Sequence, residues 1–318
     1  MRVVELPASV LESNLVRFIE QLGMANKEEQ IIIDFQKVRF LIPGATVALL
    51  TKVRHWHTSG KNVQFRNFKS CAAAGYLQRM DFFKQCGIPL TESFQRHAPG
   101  NRFVEIKKIA HGAPRSVTDL AGDVASCFFP DDDVDGWETG EIGAWGYVEF
   151  AISELGNNVL QHSRSTGYLA AQYYPSADLV RIGIADLGIG IRDSLKGSPF
   201  ERTASSDLDA VRVALKPRVS GKEHLETVPG TAVNRGMGLT FLRELSEKAR
   251  GDFLVLSGNG YYSLSRDGSI AGRCGFQGTF CALAVTREEA GRYSRLLAEA
   301  KRQFDVTPEP ATYSGLFQ

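Results

Sequence analysis

Three stretches in the second half of the chain combine residue types that could handle protons, phosphates or a flat amine-bearing ligand. In EFAISELGNNVLQHS, residues 149–163, Glu154, Asn158 and His162 lie four apart. On a helix this spacing lines them along one face, a turn from one another. A carboxylate there can take a proton, and an amide carbonyl can ligate a hard cation. A solvated polar face would have the same spacing. In DLGIGI, residues 186–191, an Asp closes an apolar run, and Gly188 and Gly190 let the backbone pass close to a ligand. The Asp could accept a hydrogen bond from an exocyclic amine; an ordinary turn is the plainer reading. In NRGMGLTFL, residues 234–242, Gly236 and Gly238 precede a helical run, where free N–H groups and the positive dipole end suit a phosphate. No GxxxxGK[ST] motif occurs, which excludes a P-loop NTPase on its main signal.

The elements that must position these groups follow from periodicity. Residues 145–163 read as a long helix, 168–174 and 179–185 as strands, and 237–249 as a helix. Strands at 253–257, 261–265 and 279–285 and an amphipathic helix at 288–304 complete the half. Between them, about fifty residues after Asp186 are Gly-rich and polar and read as a lid over 192–235. Upstream, residues 102–106 suggest a strand and 116–127 a helix, followed by an acidic loop over 131–135, which reads as solvated and lacks EF-hand spacing. The first hundred residues alternate strand and helix: strands at 2–6, 31–35 and 62–65, helices at 9–23, 45–56 and 71–83. This alternation implies an α/β sheet layered with helices. Pro99, Gly100, Gly112 and Pro114 place a domain boundary near residue 100, giving domains 1–100 and 101–318.

With 318 residues, 43% hydrophobic and 23% charged, the composition is that of a globular protein of about two domains. The net charge of +1 gives no whole-chain argument for nucleic acid or an anionic membrane. It conceals an asymmetry. Residues 1–100 carry 13 Lys/Arg against 8 Asp/Glu, and the remainder 24 against 28. A basic module docked on an acidic surface, of its own second domain or of a partner, is one expectation. No apolar run reaches the ~18 residues of a membrane helix, and the N-terminus lacks the apolar core of a signal peptide. Five cysteines, odd in number and without a CxxC pair, point to reduced thiols and a cytoplasmic location. His55 and His57 read as a surface pair, with no ligand cluster nearby.

The order of the motifs is more specific than any one of them. Glu-x3-Asn on a helix, a strand ending in Asp-x-Gly-x-Gly, a polar lid, Gly-x-Gly at a helix start and Gly278-Thr279 opening a strand resemble the GHKL (Bergerat-fold) ATPases over residues 140–285. The resemblance implies a C-terminal α/β sandwich that binds ATP and Mg²⁺. Asn158 would be the Mg²⁺ ligand, and Glu154 would orient or deprotonate the attacking group. Asp186 would hold the adenine amine, supported by Thr279, while Gly188, Gly190, Gly236 and Gly238 would line the nucleotide. Arg235 would bring a cation to the phosphates or belong to the lid. The run from Glu154 through His162 to RGMGLTFL looks most like the anti-sigma-factor serine kinases. No upstream His sits in an H-box setting, so autophosphorylation on His is not expected.

The stretch IIIDFQKVRFLIPGATVALLTKVRHWHTSGKNVQFRNF resembles a STAS domain, the fold of anti-sigma-factor antagonists. The Asp-Ser-Ser-Gly-type turn that carries the phosphorylated Ser in that family is LIPGAT here. Pro43 and Gly44 stand where the acid and serine belong, and Thr46 is the nearest hydroxyl. The usual phosphoswitch is therefore expected to be missing, leaving a docking or dimerisation module. The expected function is an ATP/Mg-binding regulatory switch, a serine/threonine-kinase-like or ATP-hydrolysing module that controls a protein partner. The alternative is an interaction protein that senses ATP or ADP without catalysis. A nucleic-acid-acting ATPase of the gyrase or MutL kind would carry a following transducer domain, for which the chain has no room. Homodimerisation is left open.

Overall fold

The computed structural model describes residues 1–92, 94–96, 101–113, 115–130, 143–221 and 236–304. Arg235, the acidic run 131–135 and the tail from 305 lie outside the described residues, as do residues 222–235 of the expected lid. The chain begins with β1 (Arg2–Glu5), β2 (Ser9–Val10), α1 (Leu15–Gly23), β3 (Gln30–Asp34), β4 (Phe40–Leu41), α2 (Pro43–Thr58), β5 (Asn62–Arg66), α3 (Ala74–Arg79) and α4 (Phe82–Gln85). It continues with β6 (Phe103–Ile109), α5 (Val117–Phe128), α6 (Ala144–Asn158), β7 (Gly167–Tyr174), β8 (Leu179–Asp186), α7 (Gly190–Ser194), α8 (Asp207–Ala214) and α9 (Gly238–Lys248). The last elements are β9 (Asp252–Gly258), β10 (Gly260–Ser265), β11 (Gly268–Gly272), β12 (Phe276–Thr286), α10 (Arg287–Ala290) and α11 (Tyr293–Gln303).

The architecture is mixed α/β in stacked layers. Strands β1, β3 and β5 form a parallel three-stranded sheet. Seven strands, in the order β11-β10-β9-β12-β8-β7-β6, form an antiparallel sheet. One face of the large sheet packs on α5, α6, α8, α9 and α11 through residues such as Val124, Ile152, Val211, Leu242 and Val255. The other face, with Tyr168, Ala170, Leu254, Leu256 and Phe280, shares one apolar core with Ile31, Leu49, Val53 and Trp56 of the first hundred residues. The break expected near residue 100 falls among residues outside the described set, and this core is built from both sides of it.

Helix α2 is the layer between the two sheets. Pro43 at its first position is preorganised for a helix start. Every residue from Pro43 to Val53 is buried, which accounts for the lack of an amphipathic pattern. It crosses β8 by backbone contact. A Cβ on Gly183 would lie 2.5 Å from Gly44 Cα and 2.7 Å from Gly44 N. The Pro43-Gly44 pair is thus the point of closest backbone approach between α2 and β8. Thr46 is fully buried, and its hydroxyl donates to the Ile42 carbonyl at 3.2 Å, out of reach of a modifying enzyme in the folded chain.

The contact between the halves is mostly apolar, and its ion pairs run in both senses. Arg79 of the basic half pairs with Glu105 of the acidic half, in the sense the charge expectation has it, with Arg96 4.0 Å from the same carboxylate. In the other sense, Arg181 of the acidic half donates to Glu12 of the basic half at 2.5 and 3.1 Å while stacking on Tyr174. Lys52, 1% exposed on α2, donates to the Gly275 carbonyl at 3.3 Å and lies over the Phe276 ring. Burial pulls its pKa down to about 8.

Several element boundaries also differ from expectation. The helix expected at 9–23 starts only at Leu15, because Ser9 and Val10 pair in parallel with Phe40 and Leu41, and Asn14 Oδ1 accepts the Leu11 N–H at 2.8 Å. The helix expected at 71–83 is two short helices divided at Asp81, whose φ is +62°. The described part of the expected lid is not loose. Helix α8 lies against β9 and β10 with Ala210 and Val211 fully buried, and Asp207 accepts the Asn259 N–H at 2.9 Å. Strand β11 was not anticipated. The five cysteines are free, and all but Cys127 are buried. Among the described residues no helix is long and apolar enough to cross a membrane, and no group of three or more His, Cys, Asp and Glu is placed to hold a metal ion.

Candidate functional site

The register of the large sheet brings much of the site into one row. Thr279 pairs with Ser257, and Asp186 pairs with Gly167. The β12–β8 register, Phe280 opposite Ala185, sets Asp186 beside Thr279 when extended by one step. Four neighbouring strands therefore contribute Ser257, Thr279, Asp186 and Gly167 at one end of the sheet. An irregularity in β12 between Phe276 and Thr279, with Gly278 at φ +83°, turns the backbone onto Asp186. Bulges of this kind re-aim groups near functional sites. A side chain at position 278 would overlap the Asp186 carbonyl.

Asp186 is 4% exposed. Its Oδ1 accepts the N–H of Gly188 at 2.7 Å and of Thr279 at 3.3 Å. Oδ2 has no partner among the described residues. Burial outweighs the two donors and pushes the carboxyl up to about 6. Ser257, which sequence reasoning missed, ties the row together. Its hydroxyl donates to the Gly278 carbonyl at 3.0 Å, accepts the Ile191 N–H at 2.8 Å and lies 3.4 Å from Thr279 Oγ1. It also faces Gly190, where φ is +76° and a Cβ would come within 2.8 Å of it. The signal was a lone hydroxyl ending the apolar run FLVL before Gly-Asn-Gly, indistinguishable in sequence from a strand-closing turn.

Helix α6 supplies the second wall. Beyond Asn158 it loosens into a π-helical turn over Val159–Ser163, a distortion that recurs at functional sites. The Ser163 carbonyl accepts the Ile189 N–H at 3.1 Å, and a side chain on Gly188 would overlap that carbonyl. The turn after Asn158 and the Asp186–Gly190 loop are thus joined directly. The amide of Asn158 is half-buried and has no hydrogen-bond partner among the described residues. His162 continues the stripe in the π-helical turn and is partly buried.

Glu154 points at the start of α9. A side chain on Gly238 would overlap its Oε2. A helix N-terminus favours a negative charge by under about 1 kcal/mol. Burial, with the like charge of Glu149, outweighs that and lifts the Glu154 carboxyl from 4.5 to about 7. No described donor holds it. Gly236, at φ +69°, has the Val219 backbone where a side chain would go. The arrangement comprises a carboxylate with one oxygen uncommitted, a free amide, a proton acceptor poised near neutrality and a glycine-rich helix start. Comparison with family models, with curated proteins and with solved structures finds no match.

Proposed function

We propose that the chain is an ATP/Mg-binding regulatory switch of the GHKL (Bergerat) type, joined to a degenerate STAS-like module and acting on a protein partner. The observation that carries the reading is Asp186, buried with Oδ1 satisfied by two backbone N–H groups and Oδ2 left for an outside donor. An exocyclic amine fits that oxygen, and glycines at 188, 190 and 278 let the backbone close tightly around the carboxyl that would receive it. The uncommitted Asn158 carbonyl suits Mg²⁺, which takes oxygen ligands and retains waters. The N-terminal N–H groups of α9, beside Gly236 and Gly238, suit phosphate oxygens. ATP when bound supplies the transferable phosphoryl group. Glu154, lifted into the neutral range, takes the proton from the attacking protein hydroxyl or water.

Calorimetric titration of the whole chain with ATP and Mg²⁺ tests this reading. Saturable binding is expected, weakened at least about tenfold by Asp186→Asn, a change worth about 1.4 kcal/mol. Absence of binding by the wild type, or full affinity in Asp186→Asn, overturns it. Single-turnover assays with labelled ATP then divide transfer or hydrolysis from sensing alone, since a pure sensor releases no phosphate.

A further inference from the structure

Strand β11 is an unprotected edge of the seven-stranded sheet. It pairs with β10 on one side and with no described strand on the other. Proteins blunt such edges with lysine, proline, inward charges or a covering loop. Gly268-Ser269-Ile270-Ala271-Gly272 contains none of these residues, and Ile270 at its centre is 63% exposed. Immediately outside the strand stand two exposed charges, Asp267 before it and Arg273 after it. Neither side chain has a hydrogen bond or ion pair among the described residues.

We propose that this edge pairs antiparallel with the same edge of a second copy of the chain, about a two-fold axis through Ile270. Two identical strands related by an axis perpendicular to their sheet must match residues of the same face. The axis therefore passes through a residue, never between two. Of the five registers centred on residues 268 to 272, only the one at Ile270 sets Asp267 of each copy beside Arg273 of the other. It also sets Ile270 against Ile270 and Gly268 against Gly272. Both unpaired charges then gain a partner, the exposed apolar side chain is covered, and the two sheets become one of fourteen strands. Moving the axis by one residue puts Asp267 opposite Ala271 and loses both pairs. A strand this short buries little area, so the dimer is a weak one, in the micromolar range.

Sedimentation of the full chain over roughly 1–100 µM tests the proposal. The wild type is expected to shift from monomer to dimer. Ile270→Lys, which sets two like charges on the axis, is expected to remain monomeric, with its circular dichroism and melting unchanged. Asp267→Arg and Arg273→Asp alone should each raise the dissociation constant about tenfold, and the double exchange should return it to within about threefold of wild type. A wild type monomeric throughout overturns the proposal and leaves the edge to a different chain. A dimer that persists in Ile270→Lys, or a double exchange no better than the single changes, places the interface elsewhere.

Discussion

Two carboxylates of the site are both destabilised as anions, but they are held differently. Asp186 is anchored through one oxygen by two backbone donors, whereas Glu154 faces a glycine and has no described donor at all. In the proposed function, Asp186 serves fixed recognition and Glu154 proton exchange. The sign of the pH effect follows. Glu154 binds its proton more tightly folded than unfolded, so its contribution to stability is fully present below pH 4.5 and is lost as pH rises through about 7. Glu154→Gln is therefore expected to stabilise the chain by about 1–3 kcal/mol at pH 8 and to give no gain near pH 4, as read by urea unfolding at both values. Under the proposed activity, kcat/KM of the wild type rises with pH through about 7, and the Gln variant loses that limb. A stability gain that is the same at both pH values would show that Glu154 is not the buried anion described.

At the scale of elements, the crossing of α2 over β8 makes a graded prediction. Gly183→Ala drives a methyl into the Gly44 backbone at 2.5 Å, where neither partner can move without shifting a helix or a strand. It should cost about 1–3 kcal/mol. Gly44→Ala meets the Ala282 side chain at 3.2 Å, a lesser strain offset by up to ~1 kcal/mol of helix propensity, and should be near neutral in thermal unfolding. Equal losses would mean that the crossing is not this tight. Elements of this kind were legible in sequence where a local signal marks them, the Pro43-Gly44 punctuation before α2, the helical spacing of α6 and the compact apolar runs of β3, β7 and β8, and all five lie within a few residues of the expected spans. Those that depend on distant partners were not. Helix α8 is short and polar on one side, and its burial becomes visible only when β9 and β10 lie beneath it. Strand β11 has too few apolar residues to announce itself. The residues of the candidate site were named one by one from motif order, but their joining through Ser257 depends on a sheet register that no local pattern encodes.

For the whole molecule, the opposite net charges of the two halves are real, yet the halves are held by a common apolar core. Fragments 1–100 and 101–318 expressed singly would each expose part of it, Trp56 and Val53 on one side and Leu256, Phe276 and Phe280 on the other. Each alone is expected to bind ANS and aggregate, and their co-expression to give a soluble pair with one cooperative melt. A sharp independent melt of 101–318 would contradict this. The buried Lys52 contact adds something to that unity. The Gly275 carbonyl that it holds lies three residues before Gly278, which closes on Asp186, so one short segment has α2 at its back and the candidate site at its front. Thermodynamic reciprocity then applies. Any ligand that shifts α2 against this segment and thereby changes affinity at Asp186 by some factor must itself be bound more or less tightly by that same factor when the Asp186 site fills.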